Sequence, residues 1–146
     1  MTTPNPNSIY SAFKTDKKAE NEGVWLEYGE FRVKVLRAGG SNKHFLKVLE
    51  QKTRPFQRAI KTETIELSQK VLSEVYVDAI IVGWETKIDG EWQKVIVTET
   101  GEVVPATKES ITAILEALPE IFIDIQEMAG KMSLFREVVL EENGGN

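Results

Sequence analysis

A chain of 146 residues, 41% apolar and 28% charged, has the size and make-up of one globular domain that buries its core without staples. It has no cysteine, which excludes disulfides, thiolate catalysis and cysteine-ligated metals and suits a reducing cytosol. A formal net charge of −5 speaks against general nucleic-acid binding, which needs cationic surface, and no apolar run approaches the ~18 residues of a membrane span.

The opening stretch Met1-Thr2-Thr3-Pro4-Asn5-Pro6-Asn7 has neither the basic nor the apolar region of a signal peptide, so an intracellular soluble protein is expected. Residues 1–22 are polar and charged, and little in them repays the entropy of ordering. They read as a flexible arm, with Ile9, Tyr10 and Phe13 as a short amphipathic anchor. Val24-Trp25-Leu26-Glu27-Tyr28 and the alternating run Phe31-Arg32-Val33-Lys34-Val35 flank Gly29-Glu30. This predicts a hairpin over 24–37 with Phe31, Val33 and Val35 on the buried face.

Ser41 is the expected N-cap of a helix over about 41–53, with Phe45, Leu46, Val48 and Leu49 inward, and Arg54-Pro55 interrupts it. A second helix is expected over about 63–82, with Ile65, Leu67, Val71, Leu72, Val75 and Ala79 on its apolar side. The β-branched run 75–82 also fits a strand, but the helical spacing upstream favours helix as far as Val82. Asp89-Gly90 and Thr100-Gly101 are turn signals around a short strand, Val95-Ile96-Val97. Thr107 is placed to cap a helix over about 107–118, where Ile111, Ile114, Leu115 and Leu118 share a face. Pro119 suits the first turn of a last helix, about 119–139. In that helix Ile121, Ile125, Met128, Met132, Phe135 and Val139 form a seam. Residues 141–146 read as a flexible tail. The expected fold is mainly α with a small β-hairpin, an α+β class, in one globular domain over 23–140.

Charge is unevenly spread. Between positions 41 and 61 Lys43, Lys47, Lys52, Arg54, Arg58 and Lys61 stand against Glu50 alone, while 99–142 carries ten acidic residues against Lys108, Lys131 and Arg136. Either this is solvated surface, or the basic segment meets the acidic one within a subunit or between copies.

Parts for chemistry are scarce. His44 is the only histidine, so a Ser-His-Asp triad or a multi-histidine metal site lacks its pieces. No phosphate-cradling glycine motif occurs, and Asp78, Asp89 and Asp124 have no hydrolytic or calcium-loop spacing. No catalytic residue, metal or cofactor is expected, and the protein reads as no enzyme. Trp84 reads either as a core-edge anchor or as a partner hot spot, and Trp92, just after a turn, as the more exposed of the two. The stripe Met128, Met132 and Phe135 reads either as core or as docking surface.

The order of these motifs resembles the tail assembly chaperones of long-tailed, siphovirus-type bacteriophages. The likeness rests on an apolar helix ending Val82-Gly83-Trp84, a turn-rich stretch to Glu102-Val103-Val104-Pro105-Ala106-Thr107, a short helix with Ile114-Leu115-Glu116-Ala117-Leu118-Pro119, and a helix beginning Glu120-Ile121-Phe122 and reaching Phe135. The basic region 45–60 with Arg54-Pro55-Phe56 also fits; the insert 89–97 with Trp92 does not match. The resemblance implies a mainly helical, non-catalytic protein of the host cytoplasm, absent from the mature virion. It would coat the tape measure protein and help recruit the major tail protein, with self-association or a frameshifted longer form as further partners. Trp84, Trp92, Ile121, Ile125, Met128, Met132 and Phe135 are then the candidate partner-binding residues. The competing expectations are a structural tail-completion or head–tail joining protein and a small adaptor or immunity protein.

Overall fold

The alternation in Phe31-Arg32-Val33-Lys34-Val35 becomes strand β2 (Phe31–Val35), which pairs antiparallel with β1 (Val24–Glu27) and sets Leu26 opposite Val33. The structure, a computed structural model, describes residues 17–40, 42–56 and 65–131. The expected anchor residues Ile9, Tyr10 and Phe13 and the tail 141–146 lie outside them, as does the expected cap Ser41. Residues 17–22, expected to belong to a flexible arm, form helix α1 (Lys17–Glu22). Ala19 packs partly against the core, and its carbonyl accepts from the Gly23 N–H at 2.9 Å, which docks the helix end onto the hairpin.

Helix α2 (Lys43–Thr53) is capped by the side chain of Asn42, which accepts from the Phe45 N–H. Phe45 and Val48 are buried and Leu49 partly so, but Leu46, expected inward, is exposed. One helical face is about 100° wide, and Leu46 lies one position past Phe45, outside it. A short turn of 3₁₀ helix, Arg54–Phe56, ends the element where Pro55 removes a donor. Helix α3 (Ile65–Ala79) buries Val71, Val75, Tyr76, Val77 and Ala79. The side chains of Ile65 and Leu67 are outside the described set.

Here the structure corrects the expectation of helix to Val82. Helix α3 stops at Ala79, and strand β3 (Ile81–Ile88) starts two residues later. Its residues pair with β2: Val33 faces Trp84, Arg32 faces Glu85 and Lys34 faces Gly83. A strand partner some 50 positions upstream decides the conformation, and β-branched residues suit either state. Gly83-Trp84 is therefore mid-strand and no joint between helices. Strand β4 (Glu91–Gln93) follows a two-residue turn in which Asp89 and Gly90 both have positive φ, the mirror-image turn that matches strand twist. Strands β5 (Val95–Val97) and β6 (Val103–Pro105) form a separate ribbon. Helix α4 (Lys108–Ala117) starts at Thr107, whose side chain accepts from the Ser110 N–H. Helix α5 (Pro119–Gly130) begins on Pro119.

The architecture is α+β: a four-stranded antiparallel sheet in the order β1-β2-β3-β4, a two-stranded ribbon, and helices on the inner sheet face. That face stacks Tyr28 on Phe31 and Phe31 on Trp84, with ring centres 5.0 and 5.7 Å apart. Tyr76 of α3 sits edge-on to both Phe45 and Phe122 and so ties three helices together. The Tyr28 hydroxyl donates to Asp124 at 2.6 Å, and the Ala38 N–H donates to the Ala129 carbonyl, fastening α5 to the hairpin.

Candidate interaction surfaces

Alternation along β1, β2 and β3 sends one set of side chains inward and the other to the outer sheet face. On that outer face the Arg32 guanidinium lies between two indoles, 4.1 Å from the Trp25 ring centre and 4.4 Å from that of Trp92. Its Nε and a terminal nitrogen both donate to Glu85, at 2.9 and 2.5 Å. The Lys34 and Lys87 ammonium groups stand 5.7 and 5.2 Å from the Trp25 and Trp92 ring centres. Cations over indole faces at these distances are favourable, and more so when partly desolvated. Trp92 is thus half-buried under cations rather than free.

The ribbon has a different surface. Val95 pairs with Pro105, Ile96 with Val104, and Val97 with Val103. Residues directly opposite share a face. Ile96 is buried and Val104 packs on the core, so Val95, Val97, Val103 and Pro105 make up the outward face. Val97 and Val103 are 41% and 53% exposed. All four outward positions are apolar, where an ordinary solvated ribbon would alternate to polar residues.

Helix α5 divides the expected partner-binding seam. Ile125 is fully buried, so it belongs to the core and offers nothing to a partner. Ile121 and Met128 flank it and are partly buried against the core, because positions four before and three after share its inward face. Met132 and Phe135 lie outside the described residues. Trp84, 5% exposed, is core on the inner sheet face and does not meet Trp92, which is on the outer one. Among the described residues, Trp84, Trp92, Ile121, Ile125 and Met128 are therefore not gathered into one surface. Two features escaped the sequence reading. Trp25 was legible from alternation, since Val24 and Leu26 point inward around it. The outward ribbon face required the pairing of β5 with β6, which no local pattern states.

Ion pairs tie the helices. Asp78 on α3 accepts from Lys108 of α4 at 3.2 Å and pairs with Lys52 of α2 at 3.3 Å. Burial pushes the Asp78 carboxyl up, but the two lysines outweigh it and hold it below the ordinary aspartate value. Among the described residues, the basic segment thus meets Asp78 rather than the acidic stretch 99–142. Burial, and then the hydrogen bond to Asp124 with its charge, raise Tyr28 above the ordinary tyrosine value. Among the described residues no cluster of His, Asp and Glu is placed to hold a metal ion.

A family model described as YdaY prophage protein matches residues 40–146. Comparison with curated proteins and with solved structures finds no match.

Proposed function

The chain belongs to the YdaY prophage protein family, and on that premise we propose that it is a non-catalytic tail assembly chaperone of the host cytoplasm. Its partner is the tape measure protein, and the complex helps recruit the major tail protein. The observation that carries this reading is the uncovered apolar face of the β5–β6 ribbon, Val95, Val97, Val103 and Pro105. A tape measure is a long helical protein with apolar seams, and an apolar ribbon face can bury one row of such a seam.

The scale suits reversible holding. Val97 and Val103 are each about half exposed, so covering them contributes roughly 1 kcal/mol apiece. Contact of that size is weak at one site and becomes firm when many copies coat one long partner, while each copy stays free to leave as the tube grows. The order of motifs that resembles tail assembly chaperones supports the same reading.

The test is co-expression of the tape measure protein with the full chain or with its Val97→Asp/Val103→Asp variant. The tape measure is expected to stay soluble with the parent chain and to pellet with the variant, whose urea midpoint should stay close to the parent's. Equal solubility with the folded variant would overturn the proposal.

A further inference from the structure

Strand β3 is paired with β2 from Ile81 to Thr86 on one side, but β4 covers only Thr86–Ile88 on the other. Residues 81–85 therefore have no hydrogen-bonded strand partner on that second side among the described residues, although β5 packs close to β3 without forming a ladder with it. A cleft of about 540 Å³ follows this stretch, walled opposite by Ala106, Lys108 and Ile111 around the start of α4. We infer that the open half of β3 receives an extended acidic segment of a partner protein, which adds to the sheet as a further strand.

Three observations carry this. Five residues at about 3.3 Å per residue give an edge roughly 16 Å long, enough for main-chain pairing to a short extended segment. Next, β3 is bulged: Lys34 faces Gly83 while Val35 faces Ile81, so Val82 is an extra residue. It is turned out at 51% exposure and offers an apolar step in the cleft. Beside it, a Cβ on Gly83 would lie 3.1 Å from Lys34 Cβ and 3.2 Å from the Trp25 ring, so the smallest residue keeps the strand surface low under the indole.

The third observation is charge. Lys34, Lys94 and Lys108 line the cleft with Asp78 and Glu85. Asp78 is already held between Lys108 and Lys52, and Glu85 by Arg32. Lys34 contacts the Trp25 ring, and Lys94 has no ion pair among the described residues. The cleft thus presents ammonium groups in excess over free carboxylates, and a partner segment of opposite sign fits it. This reading is independent of the ribbon face and of the proposed function.

The probe is the blocked peptide acetyl-Glu-Val-Glu-Val-Glu-amide, titrated into the ¹⁵N-labelled full chain. Saturable shifts centred on the amides of residues 81–85 are expected. The Lys34→Glu/Lys94→Glu variant should bind at least about ten-fold more weakly, and a peptide N-methylated at alternate residues should not bind, because it cannot complete the ladder. The reverse-charge peptide with lysines for glutamates should not bind either. Lysines and bulges also serve to keep an edge from pairing at all. If that is their whole role here, the parent chain shows no saturable binding and the inference fails. It fails equally if the charge-reversed variant or the N-methylated peptide binds as the originals do, or if the shifts fall elsewhere.

Discussion

Removing the hairpin tests whether residues 40–146, the part that matches the family, can stand alone. Deleting residues 1–39 takes away β1 and β2, and with them Leu26, Val33 and Val35, which are 5%, 0% and 0% exposed. Each such side chain contributes about 1.5–3 kcal/mol on burial, so the three together come to roughly 4.5–9 kcal/mol. A domain of this size has only about 5–15 kcal/mol in all. The deletion also strips Trp84 of its stacking partner Phe31, Asp124 of the Tyr28 hydroxyl, and β3 of its strand partner. The fragment is expected to lack cooperative urea unfolding and dispersed amide resonances, and to aggregate through the bared strand. The point variant Val33→Ala, which only opens a cavity, should keep the fold and lose about 2–3 kcal/mol. A fragment 40–146 that unfolds cooperatively with near-parental stability would refute the reasoning that the hairpin is part of the core.

Two further changes probe the ties between elements. Asp78→Asn should cost about 0.5–1.5 kcal/mol at neutral pH, a modest figure because both lysines are well exposed and solvent screens the pairs. The folded-state pKa is depressed, so this contribution is present above the ordinary aspartate value of 3.8 and fades as pH falls through the lower, folded value. Urea midpoints of parent and variant should accordingly converge in strong acid. Tyr28→Phe leaves Asp124 without its donor and should cost about 1–2 kcal/mol at pH 7. The Tyr28 pKa is raised on folding, so its contribution is complete below the ordinary value of 10.0 and is lost as pH rises above it. The parent should therefore lose stability above pH 10 more steeply than the variant, as followed by circular dichroism.

What the sequence made legible is what neighbouring residues decide. Thr107 and Pro119 start helices because a cap and a fixed φ act within one turn, and Asp89-Gly90 reverses the chain because both residues tolerate positive φ. The switch from helix to strand after Ala79 depended on Val33 and Arg32, far upstream, and the β-branched run was compatible with both outcomes. The seam of α5 was phased correctly, since Ile121, Ile125 and Met128 do share a face. Phase alone does not say whether a face meets solvent or core, and the burial of Ile125 required knowing that Phe122, Tyr76 and Leu115 close over the same interior. The ribbon was half seen: Val95-Ile96-Val97 read as a strand, but its partner Val103–Pro105 was too short to show a period of its own.

The division of labour across the chain follows from where the pairing stops. The hairpin supplies β2, which pairs with one edge of β3 from Ile81 to Thr86, and that leaves the other edge to be covered by whatever comes later in sequence. Strand β4 covers it only as far as Thr86, because the chain turns away at Lys94 to build the ribbon. The Thr86 hydroxyl donates to the Val95 carbonyl at 2.7 Å and fixes that departure point. One local event, the exit at Lys94, therefore produces both exposed features: an open stretch of β3 behind it and an apolar ribbon face ahead of it. Since Lys94 itself lines the cleft, the residue that ends the sheet also sets the sign of the charge beside its uncovered edge.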